Sequence, residues 1–183
     1  MTKLAVSNNL NFFHYKKDIV RHNDFQAGVN ALDLYVKKNM SQNEERNLSR
    51  HYIGIDGNET FISLLCLSTS VLRLKDLNEP ADSYPSFNEL PTIKIGRLVV
   101  DRRFRKKDYG VTTLKKAISI FIEISKKIGA IGLTVDAKND ATTFYEKYGF
   151  TYLNKRDEKK FSPMILYTKT LRKNHPSLFE DSV

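Results

Sequence analysis

The sequence predicts a mixed α/β domain, and three observations predict it. The first is an apolar, β-branched run at 93–100 (Ile93, Ile95, Leu98, Val99, Val100) that reads as a buried central strand. The second follows it directly: a basic cluster at 101–107, Gly110, and then Val111, Leu114, Ala117, Ile118, Phe121, Ile122, Ile124 and Ile128 at helical spacing. The third is another strand at 129–137 (GAIGLTVDA), succeeded by a short helix in NDATTFYEKYGF that carries Phe144 and Tyr145. Strand, basic loop and helix N-terminus make a device for holding phosphate, because free N–H groups and the positive end of the helix dipole face an incoming anion. A surface turn with solvated lysines has the same composition, so the loop by itself does not choose.

Taken in order, residues 1–13 supply an edge strand through 4–6 or 10–13, and 14–22 one or two helical turns. Asn30 is placed to cap a helix holding Leu32, Tyr35, Val36 and Met40, with Lys37 and Lys38 on its outer side. Arg46 and Arg50 precede a strand at 51–55, Asp56-Gly57-Asn58 signals a hairpin turn, and a long apolar strand occupies 61–72. Residues 75–91, rich in Pro, Asn, Asp and Ser, form a loop to the central strand with a helical turn at 86–90. That loop is either substrate-side or a plain connector. Segments 151–153 and 163–171 complete the sheet as a late hairpin. No repeat or boundary interrupts the chain, so a single domain over 1–172 with a polar tail at 173–183 is expected.

Composition narrows the class. No apolar run reaches the roughly 20 residues of a membrane helix, and the N-terminus lacks a signal-peptide cleavage site. Cys66 is the only cysteine, so no internal disulfide forms and a reducing, cytoplasmic compartment is expected. Set in FISLLCLSTSVL, it reads as a core residue. His14, His22, His51 and His175 have no metal-ligand spacing, so no metal is expected. The formal net charge of +9 draws the chain to polyanions, nucleic acid among them.

The pattern VD-x-x-x-R-x-x-x-x-G, helix, strand, N-x-A-x-x-FY-x-x-x-GF spans 91–150 and resembles the core of the GNAT superfamily of acyl-CoA-dependent N-acetyltransferases. F-x-x-G-V-x-x-LD-x-Y at 25–35 and IGRLVVD at 95–101 are similar to the GNAT toxins of bacterial toxin–antitoxin modules, which acetylate the amino group of aminoacyl-tRNA. The resemblance implies a GNAT fold of α/β (α+β) class, a mixed, mostly antiparallel central sheet splayed at the middle strands with helices on both faces.

It also implies acetyl-CoA as co-substrate. The pantetheine arm would run along Leu98, Val99 and Val100, and the pyrophosphate would sit at Arg105, Lys106, Lys107, Asp108, Tyr109, Gly110 and Val111. Phe144 and Asn139 would stand beside the cofactor, although Asn139 serves equally as a helix cap. Tyr145 takes the family's general-acid position, with Tyr148 second; core packing is the competing account of both. Lys37, Lys38, Arg46, Arg50 and Arg97 are the candidate tRNA contacts. The family's toxins usually pair with an antitoxin, often a ribbon–helix–helix DNA binder, and many form homodimers.

An aminoacyl ester amine is weakly basic and largely neutral near pH 7, so such an acceptor asks for no strong protein base. The sequence departs from the family at one place, where Asp108 replaces the first loop glycine. A carboxylate about 5 Å from a phosphate charge costs about 3 kcal/mol at an effective dielectric of roughly 20, and the adjoining Arg105, Lys106 and Lys107 return a similar amount. Two alternatives stay open: an acetyltransferase with a small amine, peptide or protein acceptor, and a catalytically silent GNAT-like binding module.

Overall fold

The computed structural model describes residues 10–16, 24–78, 83–84, 86–153 and 160–180. The expected strand at 4–6 and most of the helical turns at 14–22 lie outside the described residues. Seven strands, β1 (Asn11–His14), β2 (Arg50–Ile55), β3 (Phe61–Arg73), β4 (Glu89–Val100), β5 (Gly132–Lys138), β6 (Thr151–Tyr152) and β7 (Phe161–Tyr167), form one sheet ordered β1-β2-β3-β4-β5-β7-β6. Pairs β1–β2, β2–β3, β5–β7 and β6–β7 are antiparallel and β4–β5 is parallel, which makes the sheet mixed and mostly antiparallel as expected. The chain divides into two compact units, Met1–Leu67 with Arg97–Ala117 and Ser68–Gly96 with Ile118–Val183.

In the first unit, β3 is buried at every position from Phe61 to Leu67, so both faces are covered and its sequence reads as a continuous apolar run. The turn before it is built by Asp56, whose Oδ1 accepts from Asn58 N (3.0 Å) and Thr60 N (2.9 Å). Here Glu59, not Gly57, takes the left-handed conformation (φ 59°). The helical segment is α1 (Asn30–Leu34), a π-turn (Tyr35–Asn39) and α2 (Met40–Glu45), rather than the one helix expected. Residues five apart on a regular α-helix diverge by about 140°. The wider π-turn brings Tyr35 and Met40 onto one face, and both are buried. Asn30 does not cap: Val29 is the cap residue without a side-chain bond, and Asp33 Oδ1 instead accepts from Ala27 N at 2.6 Å. The core gathers Phe25, Tyr35, Val36, Met40, Ile53, Phe61, Leu64 and Val99.

In the second unit, β4 and β5 keep register at Ile93–Leu133, Lys94–Thr134 and Ile95–Val135. The helical turn expected at 86–90 is absent, because Glu89 and Leu90 already belong to β4. The strand expected over 163–171 stops at Tyr167, where its partner β5 begins at Gly132 and pairing ends. Thr168 then opens α5 (Thr168–Asn174), donating its Oγ1 to Ala130 O (2.7 Å) and its N–H to Ile131 O (2.8 Å). Beyond α5, a 3₁₀ turn at Pro176–Phe179 gives part of the polar tail a defined conformation, with Arg172 set over the Phe179 ring. Tyr84 and Phe87 of the long loop line a cavity of about 380 Å³ with Leu90, Ile131, Thr168 and Arg172; none of the expected site residues lines it.

Helix α3 (Tyr109–Lys127) runs through both units with Leu114, Ala117, Phe121 and Ile122 buried, the apolar stripe that the periodicity predicts. No helix among the described residues is long and apolar enough to cross a membrane.

Candidate active site

The first unit carries the basic loop, and a carboxylate organises it. Asp101, at the end of β4, is fully buried. Its Oδ2 accepts from Gln26 N (2.9 Å) and Arg103 Nη2 (2.8 Å), and its Oδ1 from Arg103 N (2.9 Å) and Arg103 Nε (3.0 Å). Burial alone would raise its pKa; hydrogen bonds from the Arg103 side chain and the two N–H groups outweigh that and hold it below the usual carboxylate range. The same loop grips the segment at 24–28 by its backbone. Arg102 N donates to Gln26 O (2.8 Å), Arg103 Nη2 to Asp24 O (2.7 Å), and Arg105 Nη2 to Ala27 O. Gly28 sits at φ 72° with the Arg102 stem against it, where a Cβ would lie 3.4 Å from Arg102 Cδ. Phe25 stacks on Phe61 at 4.3 Å between centroids.

Thus the F-x-x-G motif and the basic cluster, read separately in the sequence, form one structure. Arg103 and one nitrogen of Arg105 are spent on it. Sequence reasoning missed this; the signal was an acid standing first in a run of bases.

Beyond Arg105 the loop takes two left-handed residues, Lys106 (φ 61°) and Asp108 (φ 57°). Asp108, expected from the resemblance to stand where a glycine usually does, adopts a conformation that glycine favours and aspartate tolerates. Its carboxylate is exposed, as are Lys106 and Lys107, and the Lys107 ammonium lies 5.6 Å from the Phe104 ring. The helix starts with Thr112 N donating to Asp108 O (3.1 Å). The N–H groups of Tyr109, Gly110 and Val111 therefore precede the first helical bond and have no acceptor within the helix. Alternating left-handed residues ahead of such N–H groups suit an anion. The loop residues thus fit a diphosphate, with one carboxylate opposing it. Leu98, Val99 and Val100 stand on β4 just before this loop, Val99 buried and its neighbours half-buried.

The second unit carries Tyr145 on α4 (Thr142–Glu146). What fixes it is the end of that helix. Gly149 N donates to Glu146 O (3.0 Å) and Phe150 N to Tyr145 O (3.3 Å), with Gly149 at φ 85°. This is a Schellman closure, and its usual apolar contact is the Tyr145 ring against Phe150, 5.3 Å between centroids. The spacing FY-x-x-x-GF is therefore a helix stop that pins the tyrosine. Gly149→Ala is expected to cost about 1–2 kcal/mol, since a left-handed alanine is strained. A Cβ there also meets Leu166 Cδ1 at 3.3 Å. Urea melts check it; an unchanged midpoint would remove Gly149 from this role.

Tyr145 is buried, and burial pushes its pKa up to about 12. Its ring meets Phe144 edge-on at 5.1 Å, and Phe144 in turn meets Tyr148 at 5.7 Å. Asn139 does not cap α4, which lacks a side-chain cap; its Oδ1 accepts from Ser162 Oγ (3.0 Å).

The remaining candidates lie in the first unit. Lys37, Lys38 and Arg46 are exposed, and Arg50 pairs with Glu44 Oε1 at 2.9 Å. Arg97 lies over the Tyr35 ring, its guanidinium carbon 3.4 Å from the centroid. Under that ring runs a network the sequence did not reveal. The Tyr35 hydroxyl bonds His51 Nε2 (2.7 Å) and accepts from Asn43 Nδ2 (3.3 Å), while His51 Nδ1 bonds Glu44 Oε2 (2.7 Å). Cys66 is buried beside it, Sγ 3.7 Å from the Tyr35 hydroxyl. Burial works against the Glu44 carboxylate, but hydrogen bonds from His51, His14 and Arg50 prevail and lower its pKa. No cluster of three His, Cys, Asp or Glu side chains among the described residues could hold a metal.

Residues 84–171 match the acetyltransferase (GNAT) domain family. Solved structures share the fold. A mutant of KacT gives a TM-score of 0.80 at 20% identity, covering 90% of this chain and 98% of that one. AtaT complexed with acetyl-methionyl-tRNAfMet gives 0.79 at 21% identity, covering 91% and 99%. A mutant AtaT toxin bound to the C-terminus of the antitoxin AtaR and to acetyl-CoA gives 0.72 at 21% identity, covering 90% and 97%.

Proposed function

We propose, from the match of residues 84–171 to the acetyltransferase (GNAT) domain family, that the chain moves the acetyl group of acetyl-CoA onto the α-amino group of aminoacyl-tRNA and so blocks translation. The observation that carries the reading is Tyr145, a buried phenol held protonated at neutral pH and pinned by a helix stop. The amine nitrogen attacks the thioester carbonyl, the carbon–sulfur bond breaks, and the amine proton leaves to water. Tyr145 serves the departing sulfur. A phenol near 12 loses its proton to a thiolate of pKa about 8.5 only uphill, by about 5 kcal/mol. Its contribution is therefore a hydrogen bond that strengthens as charge collects on sulfur, and solvent completes the protonation.

Two features support this acceptor. Of the described histidines, His51 is buried with both ring nitrogens bonded, His14 is paired with Glu44, and His175 stands exposed at the end of α5 in the C-terminal segment. An amine that is already neutral suits such a protein. The basic surface suits a polyanion, and the fold is shared with a protein seen on acetylated methionyl-tRNA. On the same reading the protein works in the cytoplasm, and its protein partner is an antitoxin, as AtaR is for AtaT.

Purified protein, acetyl-CoA and charged tRNA in a filter assay test the proposal. Acetyl transfer that weakens steeply as salt rises is expected. No transfer to any charged tRNA would overturn it, and transfer indifferent to salt would favour a small amine or peptide acceptor. Asp108 favours one reading of another class, the silent module. Calorimetry separates them, since a silent module shows no saturable heat with acetyl-CoA. Asp108→Gly is expected to tighten acetyl-CoA binding by about three- to tenfold, by removing an exposed like charge. An unchanged Kd would take Asp108 away from the diphosphate.

A further inference from the structure

Arg97 differs from the neighbouring arginines. Arg50, Arg103 and Arg105 each spend their guanidinium on a carboxylate or a backbone carbonyl. Among the described residues Arg97 makes no hydrogen bond or ion pair, only the contact with the Tyr35 ring. With its central carbon 3.4 Å from the ring centroid, the planar group has to lie nearly parallel to the ring. Any steep tilt would drive a nitrogen into the ring carbons. Its N–H groups then point outward in one plane, unpaired, on a half-buried side chain at β4.

The ring beneath is held from every side. Tyr35 is 5% exposed and sits in the π-turn, a helix irregularity often found at functional sites. The Glu44 carboxylate can only accept, so His51 Nδ1 carries a proton and donates to Glu44 Oε2, while Nε2 faces the Tyr35 hydroxyl, which can donate to it or accept from it. Glu44 is itself tied by Arg50 and by His14. A platform this constrained does little for a solvated arginine. It does much for one that must be pre-ordered before a ligand arrives, because ordering a long side chain on binding costs affinity.

We infer that Tyr35 is a positioning residue, holding Arg97 as a ready-made fork for a phosphodiester of the acceptor's nucleic acid. The planar donors match two phosphate oxygens at once. The inference rests on the proposed aminoacyl-tRNA acceptor, and the test keeps the two apart. It compares kcat/KM for charged tRNA with that for an aminoacyl ester of a phosphate-free nucleoside, in wild type, R97Q, Y35L and Y35F.

For R97Q, KM for charged tRNA should rise by roughly tenfold or more, and the salt slope of log KM should fall by about one. For Y35L, which keeps the arginine but frees it, the rise should be about three- to tenfold, with kcat held. Y35F keeps the ring and should stay within about threefold of wild type. The preference for charged tRNA over the phosphate-free ester should fall in R97Q and Y35L alike. R97Q alters no buried side chain, so it reads the fork even if Y35L unfolds. Equal losses on both acceptors, or an unchanged salt slope in R97Q, would overturn the inference while leaving the acceptor assignment intact. If wild type acetylates neither acceptor, the aminoacyl reading fails and the phosphate role falls with it.

Discussion

Tyr145→Phe is expected to slow acetyl transfer by about 10²–10³-fold while the protein stays folded. The substitution removes one oxygen from a side chain whose ring contacts, with Phe144 and Phe150, are apolar and edge-on, so packing survives. No hydrogen bond to the hydroxyl is made among the described residues, so none is lost from the fold. The effect should fall on kcat with KM for acetyl-CoA nearly unchanged, because the hydroxyl acts as sulfur gains charge and not before. Since burial pushes the phenol to about 12, the wild-type rate should show no alkaline loss attributable to this group as pH passes 10. Initial rates across pH, with thermal melts of both proteins, check the expectation. A mutant turning over at the wild-type rate would return Tyr145 to the core.

Asp101→Ala is expected to cost about 2–4 kcal/mol of folding stability, the second large effect, through the backbone N–H groups it leaves without an acceptor. The carboxylate is buried and accepts four hydrogen bonds, one of them from Gln26 N and three from Arg103. Its loss strands the Gln26 N–H and releases the Arg103 side chain that reaches Asp24 O. The pH dependence has a definite sign. The folded pKa lies below the unfolded one, so the stabilisation is complete above about pH 4 and fades as pH falls through the folded value. Wild type and variant should therefore converge in acid. Urea unfolding at neutral pH and at about pH 3 measures both points; a constant gap between them would count against the ion pair as the source.

Much of this was legible beforehand, and the reasons differ by element. Apolar period gives α3 and the strands at 51–55, 61–72 and 93–100 because each buries a face set by its own repeat. The positions of Tyr145, Gly149 and Phe150 were readable because a helix stop is local: its bonds join residues within six of one another. The strand expected to continue to 171 was misread because nothing in PMILYTKTL says where a partner strand ends. The helix expected at 30–40 was correctly found, but its π-turn depends on which residues the core demands, and periodicity alone favours the regular form.

By itself, then, the sequence determined the mixed α/β class, the order of strand, basic loop and helix, and the residues around Tyr145, all written in spacings of a few residues. Only the tertiary structure decided which charges are committed. It spent Arg103 and part of Arg105 on the backbone at 24–28, buried Asp101 among them, let Asp108 take a glycine's conformation, and left Arg97 stacked on Tyr35 with no hydrogen bond or ion pair among the described residues. Those outcomes join residues tens of positions apart, and a charged side chain's partner is fixed by distance in space, which no period along the chain records.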